Sequence, residues 1–178
     1  MMHRTGCGMA RILRLREAGD GRDDPARLGE MHASLLSSPA MKHKPTLVQE
    51  DCRRIAAAAE AEAQRNGWAV TIAIVDDGGH LLWLQRLDGA PPISAHIAPA
   101  KARTAAVGRR ESKVYEDMIN QGRQAFLSAP TLQGMLEGGV PNGHDGHCLG
   151  AVGVSGVKSS EDVQIARAGI AALVSPAT

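Results

Sequence analysis

The sequence has few aromatic residues and almost no net charge. Aromatic side chains make up 2% of its 178 residues, and the formal net charge is +1. Modules that bind single-stranded nucleic acids need aromatic side chains on which bases stack. Attraction to phosphate backbones or anionic lipids needs a strong basic field. The composition therefore argues against nucleic acid and membranes as partners.

Cysteine and long apolar runs are also scarce. The three cysteines, Cys7, Cys52 and Cys148, are too few and too scattered for a disulfide framework, which favours a reducing compartment. No apolar stretch approaches the roughly 18 residues that a membrane-spanning helix requires. We therefore expect a cytoplasmic protein with no membrane association.

The first 40 residues differ in composition from the rest. Residues 1–40 hold six arginines and no lysine, and neither a helical nor a strand period is sustained there. Segments of this kind are typical of disordered tails. The sequence predicts that residues 1–40 are an N-terminal extension dispensable for the fold, and that residues 41–178 form the domain.

The remaining residues alternate between helical and strand patterns. Thr46 and Gln49 fit a capping box at the start of the first helix, and Gly67 is a natural C-cap at its end. Two β-branched or alternating stretches flank the turn sequence DDGG and predict a hairpin. In chain order we predict helix 47–67, strands 68–76 and 80–87, helices 99–108 and 111–122, strand 149–156 and helix 159–173. This order favours an α+β fold with an antiparallel sheet.

Four segments carry a resemblance to a known family. They are IAIVDDGGHLLWLQRLDGA, IAPAKARTAA, GGVP, and GAVGVSG followed by SSEDVQIARAGIAAL. In this order they are similar to the GlcG/HbpS-like haem-binding family, whose domain also occurs at the C-terminus of PduO-type cobalamin adenosyltransferases. The resemblance covers residues 46–174. It implies a profilin-like α-β-α sandwich around an antiparallel sheet, homo-oligomers, binding of haem or another tetrapyrrole, and in some members haem degradation.

The resemblance favours a ligand site at the GGVP motif, which consists of Gly138, Gly139, Val140 and Pro141. Consecutive backbone N–H groups at such glycines can hold a carboxylate, although a β-bulge or tight turn also explains them. Lys101 and Thr104 are i, i+3 neighbours on a predicted helix. They offer an ammonium group and a hydroxyl to a carboxylate or haem propionate, although a solvated helix face fits them equally. We expect a cleft between helix and motif that selects an anionic ligand.

Histidines and one cysteine are the remaining candidate ligands. His96 is expected just ahead of the Lys101 helix and facing the same cleft, where an imidazole can ligate iron or transfer protons. A lone histidine at such a place is also commonly structural or exposed. After GGVP, where the family has an apolar or mixed hairpin, this sequence has NGHDGHC. His144, His147 and Cys148 are candidate metal or haem-iron ligands, although donors crowded into one turn also fit a polar hairpin tip.

These observations support three hypotheses. The first is a homo-oligomeric protein that binds a small anionic molecule or a tetrapyrrole, with haem as the candidate cofactor. The second is an enzyme of small-acid or aromatic catabolism, such as a tautomerase or hydrolase, that uses a cleft lysine and histidine as acid and base. The third is an accessory subunit without a ligand. The expectation of an oligomer also rests on strand 149–156, which is apolar on both faces.

Overall fold

The computed structural model describes residues 43–174, which form a four-stranded antiparallel sheet with helices on both faces. The strand order is β2-β1-β4-β3. The elements are α1 (Gln49–Arg65), β1 (Thr71–Asp76), β2 (Leu81–Arg86), α2 (Ser94–Gly108), α3 (Lys113–Asn120), a 3₁₀ helix (Gln124–Ser128), β3 (Gly139–His144), β4 (His147–Ser155) and α4 (Ser159–Val174). The predicted α+β sandwich is confirmed, while the predicted extension at residues 1–40 lies outside the described residues.

The two central strands are apolar on both faces, and each face has its own helical cover. Ile72 and Ile74 of β1 point into a core shared with α1 and α4. Ala73 and Val75 point the other way, towards the alanines of α2. Successive residues of a strand face opposite sides of a sheet. In β4, Val152 and Val154 therefore face the core with α1 and α4, and Ala151 faces α2. The apolar strand on which we based the oligomer is therefore covered within one chain, and the oligomer stays a prediction. Within residues 43–174, no helix is long and apolar enough to cross a lipid bilayer.

Helix α1 begins two residues later and ends two residues earlier than the predicted helix 47–67. Thr46 lies outside the helix, because the N–H of Val48 donates to the Asp51 carboxylate at 3.0 Å and fixes the start there. At the other end Gly67 takes a φ of +67°, which glycine adopts without steric cost. The N–H groups of Gly67 and the next residue then cap carbonyls in the last turn of the helix. Gly67 thus terminates the helix as predicted, although the C-cap residue itself is Asn66, and the capping box at Thr46 is wrong.

Helix α2 begins five residues before the predicted start. Ser94 is its first residue, and the Ser94 side chain is anchored by Thr71 Oγ1 at 2.6 Å and by the Pro91 carbonyl. Pro99 consequently lies inside the helix instead of in its first turn. His96, expected ahead of the helix, instead lies in the first turn. This shift determines which way the His96 side chain points.

The turn between β1 and β2 is organised by one carboxylate. Asp76 accepts hydrogen bonds from the N–H groups of Gly78 and His80, and its carboxylate also contacts the His80 imidazole. Partial burial alone would raise the pKa of Asp76, but these hydrogen bonds hold that pKa below its ordinary value. Asp76 therefore contributes stability that is present above its ordinary pKa and is lost as pH falls through the lowered one.

We expect Asp76→Asn to change the acid limb of the stability curve. The variant should be less stable than the wild type at pH 6, and the difference should shrink towards pH 3 as the wild-type carboxylate becomes protonated. Urea unfolding at several pH values measures this difference. A gap that stays constant from pH 6 to pH 3 would contradict the role assigned to the charge.

Candidate functional site

The GGVP motif and the Lys101 helix come together as predicted. Gly138 has a φ of +126°, and a Cβ placed on it would lie 2.6 Å from Lys101 Nζ. A Cβ on Gly139 would overlap the Lys101 carbonyl. Both glycines are therefore required by the close approach of β3 to α2. The space between motif and helix is filled by the lysine side chain itself.

Lys101 has two partners in the interior. The residue is 3% exposed. Its Nζ donates to Asp162 Oδ2 at 2.9 Å and to the Val154 carbonyl at 3.1 Å. Burial raises the pKa of Asp162, and the Lys101 ammonium opposes that shift. The expected open cleft with a free cation is not what the structure shows. A carboxylate of the chain already occupies the position that was assigned to a ligand.

The other members of the predicted cleft are also engaged internally. Thr104 is fully buried and accepts a hydrogen bond from the Gly134 N–H at 3.3 Å. The Gly139 N–H, expected to hold an anion, donates to Ser112 Oγ at 2.9 Å. Val140 is buried in the core. Pro141 is half-buried and borders a pocket that is described below.

His96 is exposed on α2, away from Lys101. Five residues separate the two, which places them about 140° apart around the helix axis. The predicted Lys/His pair for acid–base catalysis is therefore not assembled. On its own side of the helix His96 has Ile93, whose side chain is 62% exposed, and Arg103 lies two turns further along the same face. An imidazole beside exposed apolar surface is available to an outside ligand.

The β3–β4 hairpin does not bring His144, His147 and Cys148 together. His144 is the cross-strand partner of His147, while Cys148 pairs with Gly143. Since neighbouring residues of a strand point to opposite faces, the thiol turns inward, where Cys148 Sγ lies 3.8 Å from the Ala106 carbonyl. Within residues 43–174, no group of three or more histidine, cysteine or acidic side chains is placed to hold a metal ion. The three candidate ligands are therefore not assembled around one point, as in the alternative of a polar hairpin tip.

The hairpin nevertheless forms one wall of a pocket of about 440 Å³. We call it the hairpin pocket, and it is lined by Arg109, Pro141, Asn142, Gly143, His144, Asp145, Gly146, His147 and Cys148. A β-bulge between Asn142 and Gly143 turns the tip of the hairpin. Opposite it, Arg109 follows α2 in the left-handed conformation, with a φ of 52°. This volume lies within the range of small-molecule sites.

Arg109 and Asn142 were not predicted as site residues. Gly108 is the last residue of α2, as in the predicted helix 99–108, and a Cβ there would overlap the Tyr115 hydroxyl. Arg109 therefore takes the capping position. Asn142 reads in the sequence as one polar residue of a hairpin tip. Asp162 was not predicted either, because in the sequence it is an ordinary acidic residue in the first turns of a helix.

A larger pocket of about 490 Å³ lies elsewhere, between α1 and the end of β2. Glu60 in its wall already accepts hydrogen bonds from Gln64 and Gln85 at 3.0 and 2.8 Å. The carboxylate of Glu60 is thus engaged with two amides of the same pocket. We therefore regard the His96 face and the hairpin pocket as the two candidate sites.

Comparison with known proteins identifies the family. A family model described as haem degrading protein HbpS-like matches residues 47–171. Protein GlcG of Escherichia coli is 57% identical over 115 residues, which are 65% of this chain and 85% of GlcG. The structure of a double mutant of HbpS from Streptomyces reticuli has a TM-score of 0.70 and 31% identity over 76% of this chain and 92% of that chain. The crystal structure of a PduOC:heme complex has a TM-score of 0.66 and 30% identity over 72% of this chain and 95% of that chain. These matches confirm the resemblance carried by the four sequence segments, and the chain belongs to the HbpS-like family.

Proposed function

We propose that the protein binds haem or another tetrapyrrole, with His96 as the ligand of the iron. The observation that carries the proposal is an exposed imidazole beside exposed apolar surface, in a fold similar to that of the PduOC:heme complex. The hairpin histidines are a less suitable basis, because the NGHDGHC sequence departs from the hairpin usual in the family.

The residues around His96 fit the chemistry of a haem. Histidine imidazole is a common axial ligand of haem iron, and the apolar side chain of Ile93 suits the face of a macrocycle. Arg103 on the same helix face is exposed and supplies a cation for a propionate. A bound haem supplies a redox-active iron, while this chain supplies the ligand, an apolar surface and a charge.

A haemin titration tests the proposal. The wild-type protein should develop a shifted, saturable Soret band, and His96→Ala should weaken haemin binding about 10-fold or more, where each factor of ten corresponds to about 1.4 kcal/mol. His80→Ala is the matched control, because the His80 imidazole is exposed but held by Asp76 at 3.1 Å. That variant should bind haemin as the wild type does.

Two outcomes would contradict this assignment. The absence of a saturable Soret band in the wild type would favour an accessory protein without this ligand. Equal weakening by His80→Ala and His96→Ala would remove His96 as the ligand. Haem degradation is followed in the same samples as a progressive loss of the Soret band after addition of ascorbate.

A further inference from the structure

Strand β2 forms one edge of the sheet, and its outer side is open. The Leu87 N–H donates to the Val70 carbonyl, just before β1, and the backbone groups of an antiparallel strand alternate between its two sides. The N–H and C=O groups of Leu84 and Arg86 therefore point away from β1. Within residues 43–174, the sheet ends at β2 and no other group pairs with them. They are available to a further strand.

The same edge exposes large apolar side chains. Leu84 and Leu81 are the cross-strand partners of Ala73 and Val75, which are fully buried beneath α2. The two leucines remain 44% and 51% exposed, because α2 covers the central strands and leaves most of β2 open. Contiguous exposed apolar surface of this kind marks an interaction site.

The apolar surface continues towards α1. Leu82 and Val48 are both exposed and border the same depression at the start of that helix. A β-bulge in the pairing with β1 lies beside Leu82, so regular pairing at the edge is confined to Trp83–Arg86. Lysine, proline and inward-pointing charges commonly protect the edge strands of proteins from pairing. Between Leu81 and Gln85 this edge has none of these residues.

We infer that a second copy of this chain covers the edge, with the two β2 strands paired antiparallel about a twofold axis at Leu84. The two sheets then form one continuous sheet of eight strands. The Leu84 N–H and C=O pair with those of Leu84 in the second copy, and the two leucine side chains meet on the same face.

The edge is complementary to itself in charge as well as in shape. Like charges directly opposite each other destabilise a strand pair, but here the neutral centre of β2 meets its own copy. Arg86 is the charged residue of β2, and the antiparallel arrangement places the two arginines at opposite ends of the contact. This inference does not depend on haem binding, because it rests on β2 and not on the face of α2 that carries His96.

Sedimentation velocity of the full chain tests the inference. At micromolar concentration the wild type should sediment as an assembly with an even number of chains, and Leu84→Glu should sediment at half that mass. Two carboxylates then face each other at the axis, so the dissociation constant of the contact should rise about 100-fold or more. Leu127→Glu is the matched control, because Leu127 is an exposed leucine of the 3₁₀ helix. That variant should sediment as the wild type does.

An exchange of charge separates this contact from other surfaces and from a loss of folding. Leu84→Lys should dissociate as Leu84→Glu does, whereas an equimolar mixture of the two should reassociate, because a carboxylate then faces an ammonium group. The amide hydrogens of Leu84 and Arg86 should exchange slowly in the wild type and rapidly in Leu84→Glu. A monomeric wild type, an unchanged mass in Leu84→Glu, or a mixture that stays dissociated would overturn the pairing at Leu84.

Discussion

Replacement of Lys101 by methionine is expected to lower the free energy of unfolding by about 3–5 kcal/mol, which is the usual cost of removing one partner from a buried ion pair. Lys101 and Asp162 are both almost fully buried, at 3% and 1% exposure. Without the ammonium group, the Asp162 carboxylate would remain in the interior with no opposite charge beside it. Equilibrium unfolding in urea measures the loss directly.

Two further variants define the cause of that loss. The Val157 N–H donates to Asp162 Oδ1 at 3.4 Å. Lys101→Met combined with Asp162→Asn removes both charges and keeps an oxygen acceptor for that N–H, so it should recover most of the stability. Lys113→Met is the control, because its ion pair with Asp117 at 3.0 Å is exposed, and exposed pairs contribute about 0–1 kcal/mol. If the double variant is no more stable than Lys101→Met, the unpaired Asp162 carboxylate is not the cause of the lower free energy of unfolding.

Gly153→Ala should be similarly disruptive, at about 3 kcal/mol, which is the upper part of the range for overpacking a core. A Cβ on Gly153 would overlap the Ala98 carbonyl and lie 2.5 Å from the Ala102 N. Both obstacles are backbone atoms of α2. The whole helix must therefore move away from β4, because no side chain can rotate to make room. The change is measured by urea unfolding.

The control for this substitution lies in the same sheet. A Cβ on Gly143 would have only the His147 carbonyl within 4 Å, at an ordinary contact distance of 3.7 Å. Gly143→Ala should therefore leave stability within about 0.5 kcal/mol of the wild type, as for most surface substitutions. Equal losses at Gly143 and Gly153 would show that loss of glycine itself, and not the contact with α2, destabilises the protein.

The sequence was sufficient for the architecture because the elements have strong local signals. Alternating β-branched residues with a DDGG turn specify the β1–β2 hairpin, and the Gly67 cap specifies the end of α1. Cys52, Ile55 and Ala59 of α1 recur at helical spacing in the sequence, and all three are buried. Boundaries were less predictable, since the start of α2 depends on Ser94 and its contact with Thr71, which lies 23 residues away in the chain.

The candidate site was less predictable because side-chain direction depends on the tertiary structure. The proximity of Lys101 to GGVP was predicted correctly, but the sequence gives no local sign that Asp162, 61 residues later, neutralises the lysine. The hairpin tip was recognised as unusual, yet its histidines and cysteine were grouped by spacing alone. The pairing register sets His144 opposite His147 but turns Cys148 inward, and Arg109 reaches the pocket from the end of α2.

The Lys101–Asp162 pair also bears on the order in which the protein assembles. Its two residues belong to helices on opposite faces of the sheet, and contacts with such long sequence separation require loop closure before they stabilise anything. The pair can form only after β4 has docked against both α2 and α4. Interactions absent from the transition state act mainly on the unfolding rate. The ion pair is therefore expected to set how long the folded protein persists more than how fast it folds.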